Sequence, residues 1–331
     1  MARLYSVVSE RGARVSIEGE GGNLFDLGDV LRSMGKPEPV AGVIELLRDW
    51  PSWQRSLRAV SEYARSHSEK LARLDRQRIK IEAPVSRPPN ILCLAFNNGL
   101  SERFRDRFRK VGNPGWFMKS PTCVVGLDAE VELPPAEWSN VTTPEVELGV
   151  VIGKRARWVT REEALSVVAG YTIFNDVTAQ DLLVDSVASI TPQRYFSRKI
   201  VPDSGEQWEK DQLSGPNRIE MKQWDTFAPM GPCLVTQEEV PDPYSMGYFC
   251  KLNQETIMEG KRIELIWSIA EMIHKFSVIM TLEPGDVLST GNVGLLTPRA
   301  VLKPGDVMEI SIGGIGTLSN RCVASRHPAV W

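Results

Sequence analysis

Histidine is scarce in this chain: His67, His274 and His327 are the three present in 331 residues. A bound metal ion must therefore find mostly oxygen ligands. Cysteine is also thin. Cys93, Cys123, Cys233, Cys250 and Cys322 are odd in number and widely scattered, with neither a zinc spacing nor a disulfide framework among them. That usage fits a reducing cytoplasm best. No stretch approaches the roughly 20 apolar residues of a membrane span, and the opening MARLYSVVSERGARV has no signal-peptide apolar region. An excess of either charge is missing too. Lys and Arg number 39 against 42 Asp and Glu, a formal net charge of −3, so no dense basic face argues for nucleic acid. The expectation is a cytoplasmic protein with small soluble partners.

What is present suffices for a full core: 42% of the residues are hydrophobic. The first 85 residues differ in texture from the rest. Short strand-like runs lead into VAGVIELLRDWPSWQRSLRAVSEYARSHSEKLARL, whose apolar residues recur at helical spacing. The Pro-rich APVSRPPN at 83–90 suits no regular element, which places a boundary between an N-terminal accessory α+β domain (1–85) and a larger mostly-β domain (86–331). Beyond it ILCLAF (91–96), CVVG (123–126), ELGVVIG (147–153), YTIFND (171–176), PCLVT (232–236) and VMEISIGGIGTL (307–318) read as strands. REEALSVVAG (161–170) and ELIWSIAEMIHKFS (264–277) read as helices. LEPGDVLST and LKPGDVMEI echo one another, each a tight turn feeding a strand. Residues 182–220 are long, polar and turn-rich, an insertion that serves either as a lid or as an unstructured loop.

The chemistry concentrates in three places. In TTPEVELGVVIGK, Glu145 and Glu147 stand two apart and so share one face of a strand. Two such acids raise one another's pKa unless a lysine, an arginine or a divalent cation lies between them; a solvated acidic face is the plain alternative. Asp176 ends the apolar run YTIFND, either as a third acid of that site or as the N-cap of a following helix. Lys222 lies among Trp224, Phe227 and Met230, where desolvation would lower its pKa or aim it at an anionic substrate, unless it is a solvated strand end.

The ordered succession IEAPVSRPPNILCLAFN, GWFMKSPTCVVG, PEVELGVVIGK, AGYTIFNDVTAQD, KQWDTFAPMGPCLVT, LEPGDVLSTGNVG and LKPGDVMEISIGGIGTLSN resembles the fumarylacetoacetate hydrolase family from about Pro84 to Val323. The resemblance implies a distorted β-roll core, a homodimer, and one divalent ion per site, usually Mg²⁺, with Mn²⁺ or Ca²⁺ as alternatives. It places the metal ligands at Glu145, Glu147 and Asp176, catalytic work at Lys222, and substrate contacts at Lys119 and in Thr290-Gly291-Asn292 of the chain's version of TGTPxG.

The chain departs from the family pattern where hydrolytic members carry a histidine and a glutamate in a block like NYxDHAxE. Here NNGLSERF puts Ser101 and Phe104 at those positions, with Glu102 nearby in another register; Ser101 and Glu102 are the candidate replacements. In SARDxQ the arginine becomes Gln180, a candidate substrate contact, and the glutamine becomes Leu183. NGExxQ becomes the run Asn253 to Met258. A metal-stabilised enolate of a 2-oxo or 1,3-diketo acid survives these changes. Hydrolytic C–C cleavage is placed slightly ahead; decarboxylation, dehydration of a deoxy-oxo sugar acid, tautomerisation or metal-dependent binding without catalysis are the alternatives.

Overall fold

The runs ELGVVIG, YTIFN and PMGPCLVT are apolar at consecutive positions because the strands they form are covered on both faces. The structure, a computed structural model, describes residues 2–37, 42–99, 102–112, 115–185, 218–294 and 300–326. The N-terminal segment supplies β1 (Arg3–Ser9), β2 (Gly12–Glu18), β3 (Leu24–Asp26), α1 (Leu27–Ser33), α2 (Val43–Arg48), α3 (Trp50–Ser66) and β4 (Lys80–Glu82). Next come β5 (Ile91–Ala95), α4 (Glu102–Val111), β6 (Gly115–Lys119) and the short β7 (Val124–Val125), β8 (Glu130–Glu132) and β9 (Thr142–Thr143). The middle of the chain forms β10 (Val146–Ile152), β11 (Val168–Asn175), β12 (Thr178–Ala179), α5 (Gln180–Asp185), α6 (Arg218–Lys222) and β13 (Ala228–Thr236). The last part gives β14 (Tyr248–Leu252), β15 (Glu255–Gly260), α7 (Ile269–Ile279), β16 (Val287–Ser289), β17 (Val307–Ile312) and β18 (Gly316–Val323). It is an α+β fold dominated by strands, as the sequence predicts.

One large sheet runs β3-β2-β1-β13-β11-β10-β16-β5-β6, with β4 added on β1 and β7 on β13. A five-stranded sheet, β15-β14-β17-β18-β8, packs across it, and β12 pairs with β9 as a small hairpin-like ladder. In β10 the alternation divides the core in two. Val146, Leu148, Val150 and Ile152 point into a cluster with the second sheet and α7. Val151 points the other way, into a cluster with Trp50, Leu46 and Phe25 of the N-terminal segment. Glu147 has the parity of Val151, so it emerges on the face that the N-terminal helices cover farther along.

The two LxPGD turns are alike in structure. Gly285 and Gly305 take φ of +93° and +97°, which the glycine between Pro and Asp permits without a Cβ clash. Asp286 accepts from the Glu283 amide and Asp306 from the Lys303 amide, both at 2.8 Å, and the chain then enters β16 and β17. The helix expected over 161–170 is not formed. A single 3₁₀ turn (Ala164–Val167) gives way to β11 at Val168, because Gly170 lies against β13 where an added Cβ would sit 2.1 Å from the Val235 carbonyl oxygen. Sheet pairing has overridden the local helical pattern. Of the 182–220 insertion, residues 186–217 lie outside the described residues; its two shoulders, α5 and α6, pack on one another.

Candidate active site

Antiparallel register assembles the acids. Val146 pairs with Asn175 across β10 and β11, so the residues just outside the ladder, Glu145 and Asp176, fall opposite one another. The Asp176 amide closes that pair on the Glu145 carbonyl at 3.1 Å, and the Asn175 side chain accepts from the Glu145 amide at 3.0 Å. Glu147 follows on the same face. One carboxylate oxygen from each of Glu145, Glu147 and Asp176 lies within 4.8 Å of the others. The solvated-face reading fails for the last two, which are 1% exposed. Asp176 caps no helix; both its oxygens are taken by lysines.

Those lysines come from different parts of the chain. Lys119, at the end of β6 and fully enclosed, donates to Asp176 Oδ1 at 2.7 Å and to the Val177 carbonyl at 3.2 Å. Lys222, the last residue of α6, donates to Asp176 Oδ2, stands 2.5 Å from Thr178 Oγ1 and 3.4 Å from Glu145 Oε2, and lies over the Phe117 ring. It is buried, not a solvated strand end. The sequence expectation of a depressed Lys222 pKa is also corrected. Burial does push it down, but Asp176 and Glu145 outweigh burial and raise it above the ordinary lysine value, so Lys222 carries a proton to donate.

The carboxylates divide accordingly. Burial alone would lift Asp176, yet Lys119 and Lys222 hold it below its ordinary value. Glu147 is lifted well above the carboxylate range, first by burial and then by Asp176 and Glu145. The two acids are thus pushed in opposite directions, Asp176 down by its lysines and Glu147 up by burial and its acidic neighbours.

Each glutamate has one oxygen committed to the protein. Glu147 Oε2 accepts from the Ser289 hydroxyl and, at 3.0 Å, from the Gly291 amide. Glu145 Oε1 accepts from Thr178 Oγ1 at 2.9 Å and from Gln180 Nε2 at 3.0 Å. Gly291 must be glycine: its φ is +86° and an added Cβ would meet Asn97 Cβ at 2.7 Å. Asn97 is itself a buried buckle. Its amide donates to the Thr290 and Trp267 carbonyls at 2.7 and 3.0 Å and accepts from the Trp267 amide at 2.6 Å.

The other residues singled out in the sequence fall as follows. Thr290 is buried and its hydroxyl meets the Leu148 amide at 3.1 Å, inside the sheet. Asn292 accepts from the Gly294 amide at 3.1 Å, bracing its own loop. Ser101 lies outside the described residues, as does the side chain of Glu102, whose backbone opens α4. His67 stacks on Tyr63, and His274 Nδ1 is 2.7 Å from the Val159 carbonyl, so neither meets the acids; His327 lies outside the described residues. Sequence reasoning missed Ser289, Thr178 and Thr143. All three lie within or beside the quoted motifs, but a hydroxyl in a strand-like run carries no signal of what it faces.

Comparisons with known proteins show which family the chain resembles. Residues 93–323 match the family described as fumarylacetoacetate (FAA) hydrolase C-terminal. The mitochondrial oxaloacetate tautomerase of Bos taurus is 30% identical over 94% of this chain and 88% of its own. An oxaloacetate tautomerase of Bacillus subtilis is 30% identical over 90% of this chain and 92% of its own. The solved fumarylacetoacetate hydrolase of Exiguobacterium antarcticum superposes with a TM-score of 0.73 at 26% identity, covering 98% of this chain and all of the other. These relatives do not single out the hydrolytic reading and favour the isomerase alternative. With its family signature spanning the strands that carry the three acids, the chain belongs to the fumarylacetoacetate hydrolase family.

Proposed function

We propose that this chain catalyses keto–enol tautomerisation of a small 2-oxo acid of the oxaloacetate type, with Mg²⁺ or Mn²⁺ held by Glu145, Glu147 and Asp176. The observation that carries the reading is the group that handles protons at the acid cluster. It is a lysine ammonium, Lys222 Nζ, buried against Asp176 and Glu145, and neither described histidine stands beside it. Hydrolysis consumes a water that some base must activate, and a missing base costs about 10²–10⁴ in rate. Tautomerisation consumes no water. Identity to two oxaloacetate tautomerases over nearly the whole chain supports the same choice.

The donor set fits a hard divalent ion. Three carboxylates converge, one oxygen of each glutamate is already tied back, and no nitrogen or sulfur ligand is included. When bound, the ion supplies Lewis acidity toward the carbonyl oxygen of the substrate. Lys119 holds Asp176 in place from the protein side. Lys222 Nζ gives a proton to the enol carbon and recovers the enol hydroxyl proton, so that no atom leaves and the enzyme is restored.

The test follows the ultraviolet absorbance of the enol of oxaloacetate as it decays to the keto form. Acceleration by the protein with Mn²⁺ present, its loss in EDTA, and a fall of about 10²–10⁴ in Lys222→Met are expected. Full acceleration in EDTA, or a Lys222→Met variant as fast as the parent, overturns the proposal, as does rapid cleavage of acylpyruvates with no effect on the enol. A homodimer belongs to the same reading and is read out by light scattering of the purified chain. No described helix is long and apolar enough to cross a membrane.

A further inference from the structure

Gln180 replaces an arginine of the family pattern, and the sequence alone suggests that it meets the substrate. Its amide is turned elsewhere. Nε2 donates to Glu145 Oε1 at 3.0 Å and to Thr143 Oγ1 at 3.1 Å, which accounts for both of its N–H bonds. We infer that Gln180 is a positioning residue that fixes Glu145 as a ligand for a divalent ion, and that in this chain the position has passed from substrate recognition to metal affinity.

The surroundings make that role a built one. The Gln180 backbone is pinned across the β9–β12 ladder, its amide donating to the Val141 carbonyl at 2.8 Å. The next residue, Asp181, is pinned as well, accepting from Ser139 Oγ at 2.5 Å and from the Asn140 amide at 2.8 Å. A side chain that is pinned on both sides along the backbone, with Thr143 orienting its amide, has few rotamers left to lose. Glu145 needs such a brace. It stands before β10 begins, outside the ladder that holds Glu147, and its side chain is 15% exposed where that of Asp176 is 1% exposed. With Thr178 and Gln180 both on Oε1, the carboxylate cannot swing, and Oε2 stays on the side of Asp176 and Lys222. A glutamine does this without adding charge, whereas an arginine there would set a cation against the dication. Outer groups that orient a metal ligand are typically worth 10- to 100-fold in metal affinity.

The inference rests on the metal reading of the site, and the experiment separates the two. Mn²⁺ binding to the full-length chain is measured by titration calorimetry for the parent, Gln180→Met and Thr143→Val, alongside KM for oxaloacetate at saturating Mn²⁺. Gln180→Met is expected to weaken Mn²⁺ about 10- to 100-fold, with KM at saturating metal within about twofold of the parent. Thr143→Val, which removes the hydroxyl that Gln180 Nε2 holds, is expected to weaken Mn²⁺ by a smaller factor, and the double variant to bind no worse than Gln180→Met alone, because Thr143 acts through the glutamine. A parent that binds Mn²⁺ and a Gln180→Met variant that binds it equally well overturn the inference and spare the metal reading. A raised KM with unchanged Mn²⁺ affinity does the same and restores a substrate role. A parent that binds no Mn²⁺ overturns both.

Discussion

At the scale of single residues, the site is a balance among buried charges. Lys119 and Lys222 hold Asp176 below its ordinary value, while burial, then Asp176 and Glu145, lift Glu147 against the opposing pull of Lys222 and the Gly291 amide. Ser289 matters in that balance because its hydroxyl and the Gly291 amide fix which oxygen of Glu147 faces the cluster. Ser289→Ala is expected to weaken Mn²⁺ binding about 10- to 100-fold while the fold and the melting temperature change little, as read by calorimetry and thermal unfolding. Unchanged affinity would remove Ser289 from the site. The three acids were legible in the sequence because spacing and strand polarity expose them, and family resemblance strengthened them. The state of Lys222 was not legible. Its apolar sequence neighbours suggested a depressed pKa, whereas the groups that decide it, Asp176 and Glu145, stand 46 and 77 residues away in the chain.

At the scale of elements, α7 shows how a helix start is specified. Ser268 and Glu271 form a reciprocal capping box, and the same carboxylate takes both nitrogens of Arg109 from α4, at 2.7 and 3.1 Å. Burial acts to raise Glu271, but the hydrogen bonds from Arg109 and Ser268 win and bring it down to about 2. A folded pKa below the unfolded value of about 4.3 means that the unfolded chain binds more protons between the two. The stabilisation is therefore complete above about pH 5 and is lost as pH falls toward 2. Glu271→Gln is expected to be less stable than the parent at pH 7, by at most about 1 kcal/mol, with the gap closing between pH 5 and 2 in denaturant titrations. A gap that stays constant over that range would show that Glu271 acts by shape and not by charge. The position of α7 was readable within a few residues from its amphipathic pattern. The pattern at 161–170 misled for a reason a single sequence does not contain, since the strand that claims Gly170 lies about 60 residues further on.

At the scale of the whole molecule, the Pro-rich stretch at 83–90 separates two textures of sequence, yet the sheet runs through both. β1 pairs with β13, placing Leu4 opposite Leu234, and Leu4, Ile17, Phe25 and Trp50 share a core with Val151, Phe174, Leu234 and Val287. Trp50 lies so close to Gly153, just past β10, that a Cβ there would sit 2.5 Å from Trp50 Cδ1. The N-terminal segment therefore backs the same face of the sheet from which Glu147 emerges. Leu4→Ala is expected to cost about 2–5 kcal/mol. Because the core is shared, far-ultraviolet dichroism and tryptophan fluorescence should report one coincident transition in both variant and parent. Two separated transitions would mean that the halves are stable independently.

The sequence by itself determined the apolar strands, the paired turns that feed β16 and β17, and the identity of the three acids that converge. These are local properties: Cβ alternation, the φ that glycine permits and the chemistry of side chains. Tertiary structure alone decided which lysine meets which acid, which oxygen of each glutamate is tied back to the protein, and that Gln180 turns toward Glu145. Those outcomes depend on register between strands and on burial, and a pairing of residues tens of positions apart leaves no mark on either residue alone.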